Sequence, residues 1–166
     1  MSGEDDWEVV PGFPFLSEGV EGVVYRLNIP DAALARVKGT GADQVSQCVL
    51  PDGKVITGGF SSARSASAVD VVEALSAVVD HYRQDGNMRL VGSRTLTVPG
   101  ALGAWMYLLV ADEDQIRRSR VVAGAEVGSR VVPTLQIQWD DLPAVQSGLD
   151  VVDGVLSAWS VQVRDA

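Results

Sequence analysis

The segment Gly103–Ala111 constrains the fold most, because it is apolar on both of the faces that an extended strand presents. One face would carry Trp105, Tyr107 and Leu109, and the other Ala104, Met106, Leu108 and Val110. A strand of this kind is covered on both sides. We therefore predict a central strand in a sheet that has a further layer on each face.

Length and charge limit the partners that we expect. The chain has 166 residues, 46% of them hydrophobic, which fits a single domain with a substantial core. Its net charge of −9 disfavours binding to nucleic acids and to anionic membranes, both of which attract Lys and Arg. The longest apolar run, Ala101–Ala111, has 11 residues, whereas a membrane-spanning helix needs about 20. We predict no nucleic-acid or membrane binding.

Cysteine usage and the start of the chain indicate a cytoplasmic protein. Cys48 is the one cysteine, so no intramolecular disulfide can form, which fits a reducing compartment. The acidic start, Met1–Asp6, has neither the basic nor the apolar region of a secretory signal. Arg outnumbers Lys by 11 to 2, a bias that GC-rich coding DNA produces and that we interpret as bacterial.

Periodicity divides the chain into an irregular N-terminal arm (1–22), a single α+β domain (23–160) and a C-terminal tail (161–166). Alternating apolar residues, turn residues, or both predict strands within the domain. Besides Gly103–Ala111, these strands are Val23–Ile29, Val45–Leu50, Lys54–Phe60, Arg94–Val98, Val121–Ala125 and Arg130–Trp139. Turn residues join two pairs of them, at Pro51–Gly53 and at Pro99–Gly100. For Gly58-Gly59 we expect a bulge or a sheet edge.

Two segments have the spacing of three and four between apolar residues that is typical of amphipathic helices. The first is Ser67–Gln84, where Ser67 is a suitable N-cap. The second is Leu142–Ser160, where Val145, Leu149, Val152, Leu156 and Trp159 form the stripe. Short connections between the strands favour antiparallel pairing. We predict an α+β fold, a mainly antiparallel sheet with a helix packed on each face, which is an α/β/α sandwich.

The chemistry-bearing residues do not form an active-site or metal-site pattern. His81 is the one histidine and lies near the end of the first predicted helix, and Cys48 lies in a predicted strand. Zinc sites use three or four Cys, His or carboxylate ligands, and no such set stands out. We assign no catalytic, cofactor-binding or metal-binding residues. An enzyme would require Cys48 and His81, or two carboxylates, to converge in one cleft.

Arg117, Arg118 and Arg120 form the one basic cluster of this acidic chain. A charged turn or strand edge that discourages strand addition would explain it. The functional interpretation is a contact for an acidic partner, since arginine binds carboxylates with two parallel hydrogen bonds. We name these three residues as candidates for binding a partner.

Four aromatic residues give an alternative function. Trp105, Tyr107, Trp139 and Trp159 would line an apolar pocket if they came together. Aromatic residues at such positions more often fill the core. In the alternative, the protein is a carrier of a small apolar ligand.

The order of the elements resembles the PsbP-like fold, which photosystem II extrinsic subunits, a Ran-binding nuclear-transport factor and LpqN-type bacterial lipoproteins share. The resemblance is carried by Ala68–Tyr82, Leu96–Gly100, Gly103–Tyr107 and Leu149–Ser157. It implies an antiparallel sheet between helices and an accessory binding role without shared catalytic residues. The chain lacks the lipobox signal of the lipoproteins, so the resemblance does not imply an envelope location.

These features together predict a non-enzymatic accessory or adaptor protein of a bacterial cytosol. It would bind a protein partner through the edge of its sheet or through the segment Arg117–Arg120.

Overall fold

The computed structural model describes residues 8–9, 15–17, 23–27, 34–38, 45–49, 54–62, 71–113, 116–128, 131–141, 156–157 and 159–163. These residues form eleven strands, one helix of 14 residues, and two further helical residues at 156–157. The elements are β1 (Glu8–Val9), β2 (Phe15–Ser17), β3 (Val23–Leu27), β4 (Leu34–Lys38), β5 (Val45–Val49), β6 (Val55–Ser62), α1 (Val71–Gln84), β7 (Arg89–Leu96), β8 (Gly103–Glu113), β9 (Ile116–Glu126), β10 (Val131–Asp141) and β11 (Trp159–Val163).

The strands form two antiparallel sheets. The larger sheet has eight strands in the order β1-β4-β5-β6-β10-β9-β8-β7, and the smaller has three in the order β11-β3-β2. From β7 to β10, strands that follow one another in the chain are also neighbours in the sheet, because short connections favour antiparallel pairing. In this topology β7 forms one edge of the larger sheet and β1 the other.

Alternation along the strands gives the larger sheet two apolar faces, and each face is covered. The helix α1 covers one face, because Leu75, Val79 and Tyr82 lie on the side of the helix that packs against β8 and β9. The buried residues of this layer are Leu75, Val79, Met88, Leu109, Val122 and Val132. The strand β8 is thus covered on both sides, as its two apolar faces predict.

The smaller sheet covers the opposite face. Its strands β3 and β11 contribute Tyr25, Trp159 and Val161 to a core that also contains Met106 and Ile137 of the larger sheet. Trp159 and Tyr25 are fully buried there and are among the largest side chains of the core. Burial of such aromatic side chains is a major source of stability.

The predicted α/β/α sandwich is wrong, because the layer opposite α1 is a β-sheet and the described residues are mostly strand. Within the predicted helix 142–160, residues 142–155 lie outside the described residues, and Leu156 and Ser157 are helical. Trp159 and Ser160 instead begin β11, which pairs with β3. The alternation of Trp159 and Val161 with Ser160 and Gln162 is typical of a strand, and long-range pairing with β3 decides in its favour.

Both ends of the predicted domain also differ from expectation. The arm predicted over residues 1–22 contains the strands β1 and β2, and the tail predicted from residue 161 contains the last three residues of β11. The second strand of the smaller sheet, β3, is joined by β2 on one side and by β11 on the other. Residues from near both ends of the chain therefore build one layer of the fold.

Gly58 lies in the interior of the larger sheet rather than at a bulge or an edge. Its strand, β6, pairs with β5 on one side and with β10 on the other. A Cβ atom on Gly58 would lie 2.5 Å from the hydroxyl oxygen of Tyr25 and 2.7 Å from the adjacent ring carbon. Glycine is required here because the Tyr25 ring packs directly on the backbone of β6.

The turn that the sequence predicts at Pro99–Gly100 is present and links the two sheets. The amide of Ala101 donates to the carbonyl oxygen of Val98 at 3.0 Å, and Gly100 has a φ of +86°. Pro followed by a residue with positive φ is typical of a type II turn. The amide of Val161, in β11, donates to the carbonyl oxygen of Pro99 at 3.0 Å. This turn therefore anchors the last strand to the β7–β8 hairpin.

Candidate functional site

Arg117 lies at the start of β9, directly opposite Asp112 of β8. Its Nε atom is 3.0 Å from Oδ1 of Asp112, and an amino nitrogen of Arg89, in β7, is 3.1 Å from Oδ2. The hydrogen bond from Arg117, followed by the positive charges of Arg117 and Arg89, holds the pKa of Asp112 below its ordinary value. One carboxylate thus bridges two arginines, and Arg117 is joined to the edge strand.

Arg118 lies on the other face of the sheet, because neighbouring residues of a strand alternate between faces. It is opposite Asp140 of β10, and its Nε atom is 3.5 Å from Oδ1 of Asp140. Both side chains are about half exposed, at 55% and 52%. Exposed pairs of this kind contribute little to stability, so Arg118 remains accessible to a partner.

Arg120 is part of a polar network between α1 and the larger sheet. It donates a hydrogen bond to Oε1 of Gln136 at 2.8 Å and a second to Gln138, and the Tyr82 hydroxyl donates to the same Gln136 oxygen at 2.8 Å. The guanidinium carbon lies 4.2 Å from the centre of the Tyr82 ring. Burial lowers the pKa of Arg120. These contacts give Arg120 a structural role in attaching α1, which sequence pattern does not reveal.

The three candidate arginines therefore do not form one patch. Arg117 faces the side of the smaller sheet, whereas Arg118 and Arg120 face the side of α1. Arg117 instead comes together with Arg89, which the basic cluster of the sequence does not include. Their pairing opposite one carboxylate depends on the register of β7, β8 and β9 and has no local sequence signal.

The edge strand β7 is the most exposed strand of the larger sheet that the structure describes in full. Seven of its eight residues are exposed, and only Leu96 is half-buried. Leu90 and Val91 are 41% and 48% exposed, although both are large apolar residues. The sequence analysis predicted a strand from Arg94 and missed the first half of β7. The apolar pair Leu90-Val91 is the one local feature there that indicates a strand.

A β-bulge interrupts β7 at Val91. The register with β8 pairs Leu90 with Leu109 and Gly92 with Leu108, so that Val91 has no opposite residue. Such an extra residue shifts the alternation of the strand by one position. Arg89 and Arg94 are five residues apart and would lie on opposite faces of an uninterrupted strand. With the bulge, they lie on the same face, opposite Val110 and Met106.

This face carries a row of three arginines. Arg89 and Arg117 flank Asp112, and Nε of Arg94 donates to the sulfur of Met106 at 3.2 Å. The strand β7 itself has no acidic residue. We refer to β7 together with Asp112 and Arg117 as the β7 edge.

A cleft borders each end of β7. The one at the first end has a volume of about 450 Å³ and is lined by Asp80, Arg83, Gln84, Met88, Arg89 and Leu90. The one at the other end has a volume of about 300 Å³ and is lined by Arg94, Thr95, Leu96, Thr97, Leu156 and Ser157. Each cleft combines apolar side chains with arginine, so the β7 edge offers side-chain pockets as well as a strand.

The four aromatic residues of the carrier hypothesis lie in different layers. Trp105 and Tyr107 pack under α1 with their ring centres 6.2 Å apart. Trp139 and Trp159 are buried between the two sheets. None of the four lines either of the two clefts at β7. The described residues thus do not bring them to one pocket, and the carrier hypothesis stays a prediction.

Cys48 and His81 also lie in different layers. Cys48 is fully buried between the sheets, and burial raises the pKa of its thiol to about 11. His81 is exposed on α1, where its Nδ1 atom is 2.9 Å from a carboxylate oxygen of Asp85. The larger sheet separates the two residues. The arrangement that would have supported a cysteine–histidine enzyme is therefore not formed.

The described residues contain neither a metal-binding cluster nor a membrane-spanning helix. Nowhere in those ranges do three or more His, Cys, Asp or Glu side chains come together in a way that would hold a metal ion. In the same ranges, no helix has both the length and the apolar character required to cross a bilayer.

Comparison with known proteins gives a structural likeness and no sequence match. No protein-family model matches the chain, and no curated protein matches it. Among solved structures, the chain is similar to the crystal structure of LpqN, which is involved in cell envelope biogenesis of Mycobacterium tuberculosis. The TM-score is 0.44 at 16% sequence identity, over 94% of this chain and 90% of LpqN. The likeness agrees with the LpqN part of the predicted resemblance and does not single out the PsbP proteins.

Proposed function

We propose that this chain is a non-enzymatic accessory protein of the bacterial cytosol, and that it binds a protein partner at the β7 edge. The observation that carries the proposal is an eight-residue edge strand that is exposed almost throughout and displays Leu90 and Val91 to solvent. An edge strand presents a row of unpaired backbone N–H and C=O groups. Natural sheets usually shorten or cover such edges, and a long exposed one is suited to binding another chain.

The charge of the β7 edge supports the same conclusion. The chain as a whole has 22 acidic and 13 basic residues, yet this surface has arginine at positions 89, 94 and 117 and one carboxylate between two of them. A local reversal of charge attracts partners of opposite sign and repels others. Among the three arginines that the sequence singled out, Arg117 belongs to this surface, and Arg118 offers a separate exposed contact.

The test is a comparison of what the chain retains from a native bacterial lysate before and after charge reversal. Arg94→Glu changes the β7 edge, and Arg117→Glu with Arg118→Glu changes the cluster at β9. Arg26→Glu is the matched control for the first variant, because Arg26 is exposed on β3 of the smaller sheet. Arg94→Glu and Arg26→Glu each replace one positive charge by one negative charge and take the net charge from −9 to −11.

We expect a partner that the wild-type chain and Arg26→Glu retain and that Arg94→Glu loses. The partner is then purified and its affinity is measured directly. Retention of every partner by Arg94→Glu would refute a site on the strand β7. Loss with the Arg117→Glu, Arg118→Glu pair alone would also exclude β7 itself and confine the site to the start of β9.

A further inference from the structure

We propose that the partner binds through an extended acidic segment of about six to eight residues, which adds to the larger sheet as a ninth strand beside β7. This inference rests on the proposed function and specifies the chemistry of the partner. It follows from three features of the β7 edge, namely its position at the end of the sheet formed by the described strands, the common face of its arginines, and the two clefts at its ends.

The backbone of β7 is suited to strand addition along its whole length. Among the described strands it pairs with β8 alone. Eight residues at about 3.3 Å each span roughly 26 Å, which matches a segment of ordinary strand length. After the bulge at Val91, the stretch Gly92–Leu96 pairs regularly with β8 and gives an added strand five residues of regular backbone to follow.

The bulge determines the charge pattern that an added strand would meet. Arg89 and Arg94 lie on one face of β7 because the extra residue between them restores their alignment. An added strand exposes every second side chain on that same face. A segment with acidic residues at alternate positions would therefore place its carboxylates on the face where the arginines lie.

The same charges argue against a second copy of this chain as the occupant. Pairing of β7 with β7 of another copy would bring two arginines from each copy to one junction, and like charges across neighbouring strands are unfavourable. An acidic segment avoids this repulsion between arginines, and β7 has no carboxylate that would repel it.

The clefts specify the ends of the segment. The first is lined by the apolar side chains of Met88 and Leu90 beside Arg83 and Arg89, and the second by Leu96 and Leu156 beside Arg94. Pockets beside an edge strand provide specificity, while main-chain hydrogen bonds provide affinity. We therefore expect apolar residues toward both ends of the segment and between its acidic positions.

The experiment uses three synthetic peptides and the full chain labelled with nitrogen-15. The first peptide is an eight-residue alternation of Glu and Val with blocked ends, and the second replaces each Glu with Lys. The third is the Glu–Val peptide with every backbone amide nitrogen methylated, which keeps the charge and removes all of its backbone donors. Amide chemical shifts and hydrogen exchange at β7 report binding to the chain, to Arg94→Glu and to Arg26→Glu.

We expect the Glu–Val peptide to shift the β7 amides and slow their exchange, and the other two peptides to leave them unchanged. Binding to Arg94→Glu should be about tenfold weaker, and binding to Arg26→Glu should equal that of the wild type. Urea denaturation establishes that both variants are folded.

Each contrary outcome overturns a definite part of the inference. Equal binding of the methylated peptide would exclude strand addition, and equal binding of the Lys–Val peptide would exclude acidic selectivity. Slowed exchange at β7 that depends on protein concentration alone would identify a second copy as the occupant. If no peptide affects β7 while Arg94→Glu still loses a partner from the lysate, the proposed function stands and the strand inference fails.

Discussion

The turn between β7 and β8 can be tested by comparing four replacements of glycine by alanine. At Gly100 alanine meets two obstacles, because the φ of +86° is unfavourable for it and its Cβ would collide with the carbonyl oxygen of Val161. At Gly128 only the first applies, since φ is +77° and the nearest atom would be 3.4 Å away. At Gly58 only the second applies, through the Tyr25 ring. At Gly92 neither applies, because no atom lies within 4 Å.

The free energy of unfolding should fall most for Gly100→Ala, which meets both obstacles, and least for Gly92→Ala, which meets neither. A left-handed alanine costs about 1–2 kcal/mol, which is the whole loss expected for Gly128→Ala. Gly100→Ala should lose about 1 kcal/mol more, because the collision breaks the hydrogen bond from Val161 to Pro99. Overpacking at Gly58→Ala should cost about 1–3 kcal/mol. Gly92→Ala should be neutral or stabilising by up to about 1 kcal/mol, since glycine weakens a strand.

These differences can be measured by urea denaturation followed by tryptophan fluorescence. Trp159 is a suitable reporter of the intact core because it is fully buried and lies in β11, the strand that the turn contacts through Val161. For a domain of this size, a loss of about 2 kcal/mol moves the midpoint by about 1 M urea. Equal stability of Gly100→Ala and Gly128→Ala would refute a tight contact between the turn and β11. Equal stability of Gly100→Ala and Gly92→Ala would also refute the strained turn.

Two further predictions concern ionisable groups. The Cys48 thiol, with its pKa raised to about 11, should react with a disulfide reagent at pH 8 about 100-fold more slowly than in the urea-unfolded chain; a native rate equal to the unfolded rate would contradict its burial. Asp112 should titrate below its ordinary pKa in an NMR pH series, and Arg117→Gln should raise that pKa, since Arg117 is the main cause of the shift. Because the pKa of Asp112 is lower in the folded than in the unfolded chain, its contribution to stability is complete above the unfolded pKa and is lost as the pH falls through the folded pKa. An Asp112→Asn variant whose free energy of unfolding depends on acidic pH as that of the wild type does would contradict this.

Local pattern was sufficient for the elements whose periodicity has one interpretation. Gly103–Ala111 is apolar at every position, and it is a strand with both faces covered. The predicted helix Ser67–Gln84 and α1 end at the same residue, and the apolar stripe of the helix packs on the larger sheet. Residues 67–70 lie outside the described residues. The Pro99–Gly100 turn was predictable because proline and glycine each fix a backbone angle that few other residues favour.

The layer opposite α1 was not predictable, because its identity depends on partners far apart in the chain. Trp159 completes a helical stripe with Leu156 and a strand alternation with Val161 equally well. Pairing with β3, more than 130 residues earlier in the chain, decides between them. Propensity and periodicity describe a segment and its near neighbours, so they contain no information about such a pairing.

The candidate site shows the same division. The sequence revealed the cluster at Arg117, Arg118 and Arg120. It did not reveal that β9 distributes these side chains between two faces of the sheet, or that Arg120 packs on the Tyr82 ring and binds Gln136. It also gave no indication that Arg89 belongs with Arg117, because the register of three strands brings them together.

The pairing of β11 with β3 has a consequence for how the chain reaches its native state during synthesis. The hairpins from β7 to β10 are local and are able to form as soon as they leave the ribosome. The smaller sheet has to wait, because its strand β11 (Trp159–Val163) follows its partner strand β3 by more than 130 residues. Until then, the apolar face of the larger sheet that β11 and β3 later cover is exposed, and a nascent chain at this stage is a natural substrate for a chaperone.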